Sequence, residues 1–105
     1  MQIPLEVSYR NVEPSQGIEK RIRSGLGRLE KVCDRIVGCR VMVELPNRRR
    51  RTGNLYHVRI DVSIPGEDLV LKRNPPRHRA HEDVVQALGE AFDNARRKLV
   101  ERRRS

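Results

Sequence analysis

Residues 15–36 read SQGIEKRIRSGLGRLEKVCDRI, and their apolar side chains recur at the spacing of an α-helix. One stripe contains Ile18, Ile22, Leu26, Leu29, Cys33 and Ile36. Ser15 is a suitable N-cap, because its hydroxyl can accept a hydrogen bond from the first helical turn. Three glycines each weaken the helix by up to about 1 kcal/mol relative to alanine, so we expect packing against other elements to hold it. The pattern predicts an amphipathic helix that buries this stripe.

Charged side chains of this helix are sorted by sign. At about 100° per residue, five bases lie together on the side away from the stripe. This basic strip consists of Lys20, Arg21, Arg28, Lys31 and Arg35. A solvated helix usually interleaves both signs, because opposite charges four residues apart are mildly stabilising. A strip of one sign instead builds a potential that attracts polyanions, which favours a nucleic-acid partner.

The composition supports the same interpretation. The chain has 105 residues, with 23 Lys+Arg against 14 Asp+Glu and a net charge of +9, and such a charge is typical of nucleic-acid binders. We expect one domain over residues 1–105. We also expect a cytoplasmic location without membrane contact, since no apolar run approaches the ~20 residues of a membrane span. Cys33 and Cys39 form no Cys-x-x-Cys motif, and we expect both to be small buried groups.

Alternating apolar residues and a second helical pattern complete the predicted fold. We predict strands over residues 2–9, 37–45, 56–64 and 69–72, and a second helix over residues 82–102. The turn signal Pro65-Gly66-Glu67 joins the last two strands as a hairpin. The order β-α-β-β-β-α predicts an α+β domain of two layers, with both helices on one face of a four-stranded sheet.

Two further segments are basic and contain no acid. Residues 73–80 read RNPPRHRA and cannot continue a strand, because consecutive prolines remove ladder donors. We therefore predict a basic loop there, with Arg73, Arg77 and Arg79 as candidate phosphate ligands. For the run at residues 48–51, a loop that merely keeps the protein in solution is the favoured reading. Bases crowd the end of the second helix, which the helix dipole alone would also favour.

Residues that could support catalysis are few. None of the three histidines, His57, His78 and His81, has a serine or cysteine in a recognisable nucleophile setting, and no glycine-rich phosphate loop occurs. We therefore expect no enzyme, no cofactor, no metal site and no small-molecule substrate. The predicted outward sheet positions contain no aromatic residue. Recognition should then use the phosphate backbone and shape rather than base stacking.

The chain resembles the bacterial ribosome hibernation-promoting factors and ribosome-associated inhibitors, the protein Y family. The similarity covers nearly all 105 residues and rests on several short motifs in one order. They are Leu29-Glu30-Lys31, Asp34-Arg35-Ile36, Ile64-Pro65-Gly66, the helix opening at residues 81–88 (HEDVVQAL), Asp93 and Arg97-Lys98-Leu99.

The resemblance implies parallel helices and a role in stress as a translation inhibitor that silences idle ribosomes. It implies binding to the 30S subunit or 70S ribosome, on 16S rRNA, in the channel used by mRNA and by A- and P-site tRNA. Basic positions of the family are matched by Arg28, Lys31, Arg97 and Arg103. The candidate RNA-binding residues are these four together with Lys20, Arg21 and Arg35 from the basic strip and Arg73, Arg77 and Arg79 from the predicted loop.

The sequence also departs from the family. Gly25 stands where some relatives have a lysine, and Val85 where an aromatic is common. Long members carry a C-terminal extension linked to ribosome dimerisation, and none follows Ser105, so we expect a short form or an N-terminal domain. The main alternative is a generic binder of double-stranded RNA, since β-β-β-α resembles part of that fold. Two further alternatives are an enzyme that acts on RNA and a module that binds a protein through the outer face of the sheet.

Overall fold

A computed structural model of the protein describes residues 3–45, 55–74 and 83–104, with side chains up to Arg102. The elements are β1 (Leu5–Arg10), α1 (Gln16–Val32), β2 (Gly38–Glu44), β3 (His57–Ile64), β4 (Glu67–Arg73) and α2 (Val84–Arg104). The predicted order and the α+β class are confirmed.

The four strands form one mixed sheet in the order β1-β2-β3-β4. β1 runs parallel to β2, with Leu5 opposite Cys39, and α1 makes the crossover that a parallel pair requires. The other pairs are antiparallel, and Ile60 of β3 lies opposite Leu71 of β4. Buried residues alternate along β2 and β3, so one sheet face is covered while the other faces solvent.

The core lies between this covered face and the two helices. Its fully buried side chains include Ile22 and Leu29 from α1, Val41 and Ile60 from the sheet, and Leu88 from α2. These side chains come from one stripe of each helix and one face of the sheet, as the periodicities of 3.6 and 2 predicted. Burial of their apolar area is the main source of stability.

Local hydrogen bonds and backbone geometry explain where α1 begins and ends. Ser15 caps the start as predicted, because its Oγ accepts a 3.1 Å hydrogen bond from the Ile18 amide. At the other end the backbone of Cys33 is extended, and its amide donates to the Leu29 carbonyl at 3.0 Å. The prediction that the helix continues through Arg35 and Ile36 is wrong, because the chain must turn here to enter β2.

The two cysteines differ in their surroundings. Cys39 is buried as predicted, and burial together with nearby Asp61 raises the pKa of its thiol to about 11. Cys33, which was expected to be buried on the helical stripe, is only half-buried at the end of α1. Ile36 still reaches the core from the turn, which explains why the helical spacing of the sequence continues beyond the helix.

Close contact between α1 and α2 fixes how the helices are arranged. A Cβ placed on Gly25 would lie within 2.7 Å of three ring carbons of Phe92. About one turn earlier on both helices, the guanidinium of Arg21 lies against Gly89, and further on Arg28 Nη1 lies 3.4 Å from Asp93 Oδ1. Contacts advance along both helices together, so the helices run parallel, as the family resemblance implied.

The prediction that Arg73 begins a basic loop is wrong. It belongs to β4, opposite Val58, and it is only 4% exposed. Its Nη2 donates to Glu90 Oε1 at 2.8 Å and its Nη1 to the Tyr56 carbonyl at 3.0 Å. The strand extends to Arg73 because this side chain ties the end of β4 to α2. The prolines begin only at Pro75, beyond the strand.

Replacing Gly25 with alanine should destabilise the protein by about 1–3 kcal/mol, because the added methyl group displaces the Phe92 ring. Gly27→Ala is the matched control, since nothing lies within 4 Å of its Cβ position. That variant should gain up to about 1 kcal/mol from helix propensity. Urea unfolding followed by circular dichroism measures both, and equal midpoints would contradict the proposed contact.

Replacing Glu90 with glutamine should remove a negative charge that lies 2.8 Å from the buried guanidinium of Arg73. We expect a loss of about 2 kcal/mol in the free energy of unfolding, below the range for fully buried pairs because Glu90 is partly exposed. Glu101→Gln changes an exposed acid on the same helix and should have an effect within about 0.5 kcal/mol. Similar midpoints for both variants in urea would show that the ion pair does not hold β4 to α2.

Candidate nucleic-acid interface

The exposed side of α1 carries three members of the basic strip. Lys20, Arg28 and Lys31 are all exposed. Arg28 reaches across to Asp93 of α2, and half of its side chain remains exposed. A surface ion pair of this kind contributes little to stability and can exchange partners, so Arg28 can also contact an incoming phosphate.

Arg21, the fourth member, lies between the helices. It is half-buried, and its guanidinium covers Gly89 of α2. Its Nε is buried without a hydrogen-bond partner, and no other buried side-chain nitrogen or oxygen of the described residues is in this state. Sequence periodicity placed Arg21 on the correct side of α1 but could not reveal its contact with α2.

Arg35, the fifth member, is not on the helix. It lies in the turn after Cys33 and lines a cleft of about 390 Å³ together with Lys31 and Arg102. The cleft is at the C-terminal end of α1, where cations also interact favourably with the helix dipole. The strip is therefore shorter on α1 than predicted, although Arg35 stays near its end.

The second helix adds bases to the same surface. Arg97 is exposed, and its Nη2 donates to Asn94 Oδ1 at 3.2 Å. Arg96 is also exposed and follows Phe92 by four residues, which places it on the side of α2 that faces α1. Arg96 is not among the residues predicted from the sequence, because the sequence pattern does not show which side of α2 faces α1. Arg103 lies within α2, but its side chain is outside the described part.

We call the resulting surface the helical face. It contains Lys20, Arg21, Arg28, Lys31, Arg96 and Arg97. Asp93 supplies a negative charge there and is paired with Arg28. The surplus of guanidinium and ammonium groups makes this face suited to a polyanion.

Several other basic residues are engaged elsewhere or lie outside the described residues. Arg73 is buried against Glu90, so its assignment as a phosphate ligand is withdrawn. Arg102 donates from Nε to Glu67 Oε2 at 2.9 Å, and this hydrogen bond lowers the pKa of the Glu67 carboxyl. Arg77, Arg79 and the run at residues 48–51 fall in segments that the structure does not describe.

The outer sheet face differs in its electrostatics. Three of its cations are paired with acids of the same face: Arg40 with Glu6 at 3.0 Å, Arg59 with Asp61 at 2.9 Å and Arg10 with Glu44 at 3.6 Å. The exposed Lys72 shares this face with the exposed Asp68, so the two signs are balanced there. Because both signs are matched there, this face builds little net potential. Outward positions of the described strands carry no aromatic side chain for base stacking.

The described residues offer few groups for metal binding or catalysis. They contain no cluster of three or more histidine, cysteine, aspartate or glutamate residues that could hold a metal ion. His57 Nδ1 lies 2.7 Å from Asn74 Oδ1 in an exposed position. None of the helices within these ranges is long and apolar enough to cross a membrane.

Comparison with known proteins identifies the family. The sequence matches the model of the sigma 54 modulation protein / S30EA ribosomal protein family over residues 5–105. The fold is similar to the Thermus thermophilus Protein Y N-terminal domain, with a TM-score of 0.73, 20% identity, and coverage of 96% of this chain and 98% of that chain. It is also similar to a ribosomal subunit interface protein from Coxiella burnetii, with a TM-score of 0.76, 12% identity, and coverage of 98% and 100%.

No curated protein matches the sequence. At these identities the two solved structures establish a shared fold. The family model, by contrast, matches the sequence itself from β1 to the end of α2, and the family resemblance read from the sequence motifs is confirmed. This chain therefore belongs to the sigma 54 modulation protein / S30EA ribosomal protein family.

Proposed function

We propose that this protein is a non-catalytic inhibitor of translation that binds the small ribosomal subunit through the helical face. It would contact 16S rRNA in the 30S subunit or 70S ribosome and occupy the channel of mRNA and of A- and P-site tRNA. Family membership supports ribosome association. The name of the Coxiella burnetii relative, a ribosomal subunit interface protein, supports the same location.

The one-sided distribution of charge carries this proposal. Lys20, Lys31 and Arg97 project from two parallel helices, whereas three cations of the outer sheet face are paired with acids of that face. A protein that bound through its outer face would gain little from its net charge. The helical face can neutralise several phosphates at once and release their counterions.

Arginine and lysine would have different parts in binding. Guanidinium groups such as Arg28 and Arg97 can hold a phosphate with two hydrogen bonds, whereas the ammonium of Lys20 acts as a compact charge. Such contacts position the protein on RNA without reading bases. The absence of aromatic side chains on the outward positions of the described strands fits this mode of binding.

Inhibition would be steric. The helices are held together by the Gly25–Phe92 contact and cover one sheet face, so the bound protein acts as a rigid body. Its presence in the channel would exclude mRNA and tRNA by volume, and no bond is made or broken. Contacts with the phosphate backbone depend on the shape of the RNA, and folded rRNA presents such a defined shape.

Reversing two charges on the helical face should abolish most of the binding. We expect Lys20→Glu/Lys31→Glu to lower affinity for 30S subunits at least tenfold, because two cations become two anions near phosphates. Neither side chain makes an ion pair with another described residue, so the thermal midpoint should stay close to that of the wild type. Sedimentation with 30S subunits at fixed salt measures the loss.

Arg40→Glu/Lys72→Glu is the matched control. It changes the net charge equally but on exposed positions of the outer sheet face. We expect it to retain most of the affinity. Equal losses for the two double variants would show that net charge alone, and not the helical face, drives binding.

Salt dependence gives a separate measure of phosphate contacts. With about six phosphates neutralised, the logarithm of affinity should fall against the logarithm of salt concentration with a slope of roughly −4 to −5. A slope near zero would contradict binding through phosphates. An affinity for an isolated duplex of ~16 base pairs as high as that for 30S subunits would instead favour a generic double-stranded RNA binder.

A further inference from the structure

Gly89 lies in the first half of α2 and is buried against α1. A Cβ at this position would lie 2.6 Å from Arg21 Nη2, 3.5 Å from Arg21 Cζ and 3.6 Å from Arg21 Nε. The first of these distances is too short for non-bonded atoms. Any residue other than glycine would therefore displace the guanidinium of Arg21.

The other interhelical glycine has a purely structural explanation. The space beside Gly25 is filled by the ring of Phe92, a core side chain. The space beside Gly89 is filled by a cation instead. That arrangement does not serve stability, because glycine weakens a helix interior and the Nε of Arg21 is buried without a hydrogen-bond partner.

We propose that Gly89 is a positioning residue for RNA binding, whose missing side chain seats Arg21 between α1 and α2. The inference rests on the proposed function. In this seat the guanidinium lies against Gly89 of α2, and half-burial leaves part of the Arg21 side chain accessible. The confined side chain loses less conformational freedom when it binds a phosphate than one extended into solvent.

Three variants test this arrangement. Gly89→Ala should lower the affinity for 30S subunits about five- to tenfold, because the new methyl group pushes Arg21 out of its seat. Arg21→Ala should cause a loss at least as large. In the Arg21→Ala background, Gly89→Ala should cause no further loss, since there is no guanidinium left to displace.

Two readouts separate positioning from a structural role. The thermal midpoint of Gly89→Ala should equal or exceed that of the wild type, because alanine favours the helix and the displaced group is the end of a long side chain. The salt slope of binding should become less negative by up to about 0.9, the contribution of one phosphate contact.

Several outcomes would overturn the inference. They are unchanged affinity in Gly89→Ala, a thermal midpoint several degrees below the wild type, or an equal additional loss in the Arg21→Ala background. Any of these, seen alongside normal wild-type binding, removes the role of Gly89 and leaves the proposed function in place. A wild-type protein that does not bind 30S subunits would overturn both.

Discussion

The close contact of α1 with α2 is the constraint on which the remaining features depend. Gly25 allows the ring of Phe92 to reach the backbone of α1, and a side chain there would force the helices apart. Because both helices cover the same sheet face, exposed bases such as Lys20, Lys31 and Arg97 lie on the helical side of the molecule. The sheet supports this pair through a continuous core. Packing thus creates a charged surface that neither helix has alone.

Pairing decides which of the many cations can contribute to that surface. The net charge of +9 says only that positive groups are in excess. Arg73 neutralises Glu90 in a buried position, Arg102 donates to Glu67, and Arg40 is paired on the outer sheet face. Among the described residues, most of the cations that remain lie on the helices, so their potential is directional. Under the proposed function, a directional potential would give the protein a defined orientation on RNA, which non-specific attraction would not.

Local patterns in the sequence predicted the architecture well. The apolar stripe that begins at Ile18 and the alternation along β3 can each be recognised within a single helix or strand, because each reflects the buried side of that element. The capping role of Ser15 depends only on the first turn of α1. The errors lie where distant segments meet. Ile36 kept the helical spacing but reaches the core from a turn, and Arg73 was assigned to a loop although it pairs with Glu90, 17 residues along the chain.

The candidate site shows the same division. Lys20 and Lys31 were predicted from helical periodicity alone, and the structure leaves both exposed on α1. The seat of Arg21 and the contribution of Arg96 depend on which side of α2 faces α1. No periodic pattern of α1 contains that information, because it arises from the complementary shapes of Gly89 and Gly25 with their partners. The sequence therefore predicts the exposed bases of α1, whereas the contribution of residues between the helices depends on tertiary packing.

Under the proposed function, the helical face occupies the path of mRNA and tRNA on the small subunit. Sucrose-gradient sedimentation of the protein with 30S subunits, with and without mRNA and P-site tRNA, tests it most directly. We expect co-sedimentation with free subunits and release of the protein once mRNA and tRNA are bound. Retention of the protein on subunits that also carry mRNA and tRNA would contradict it.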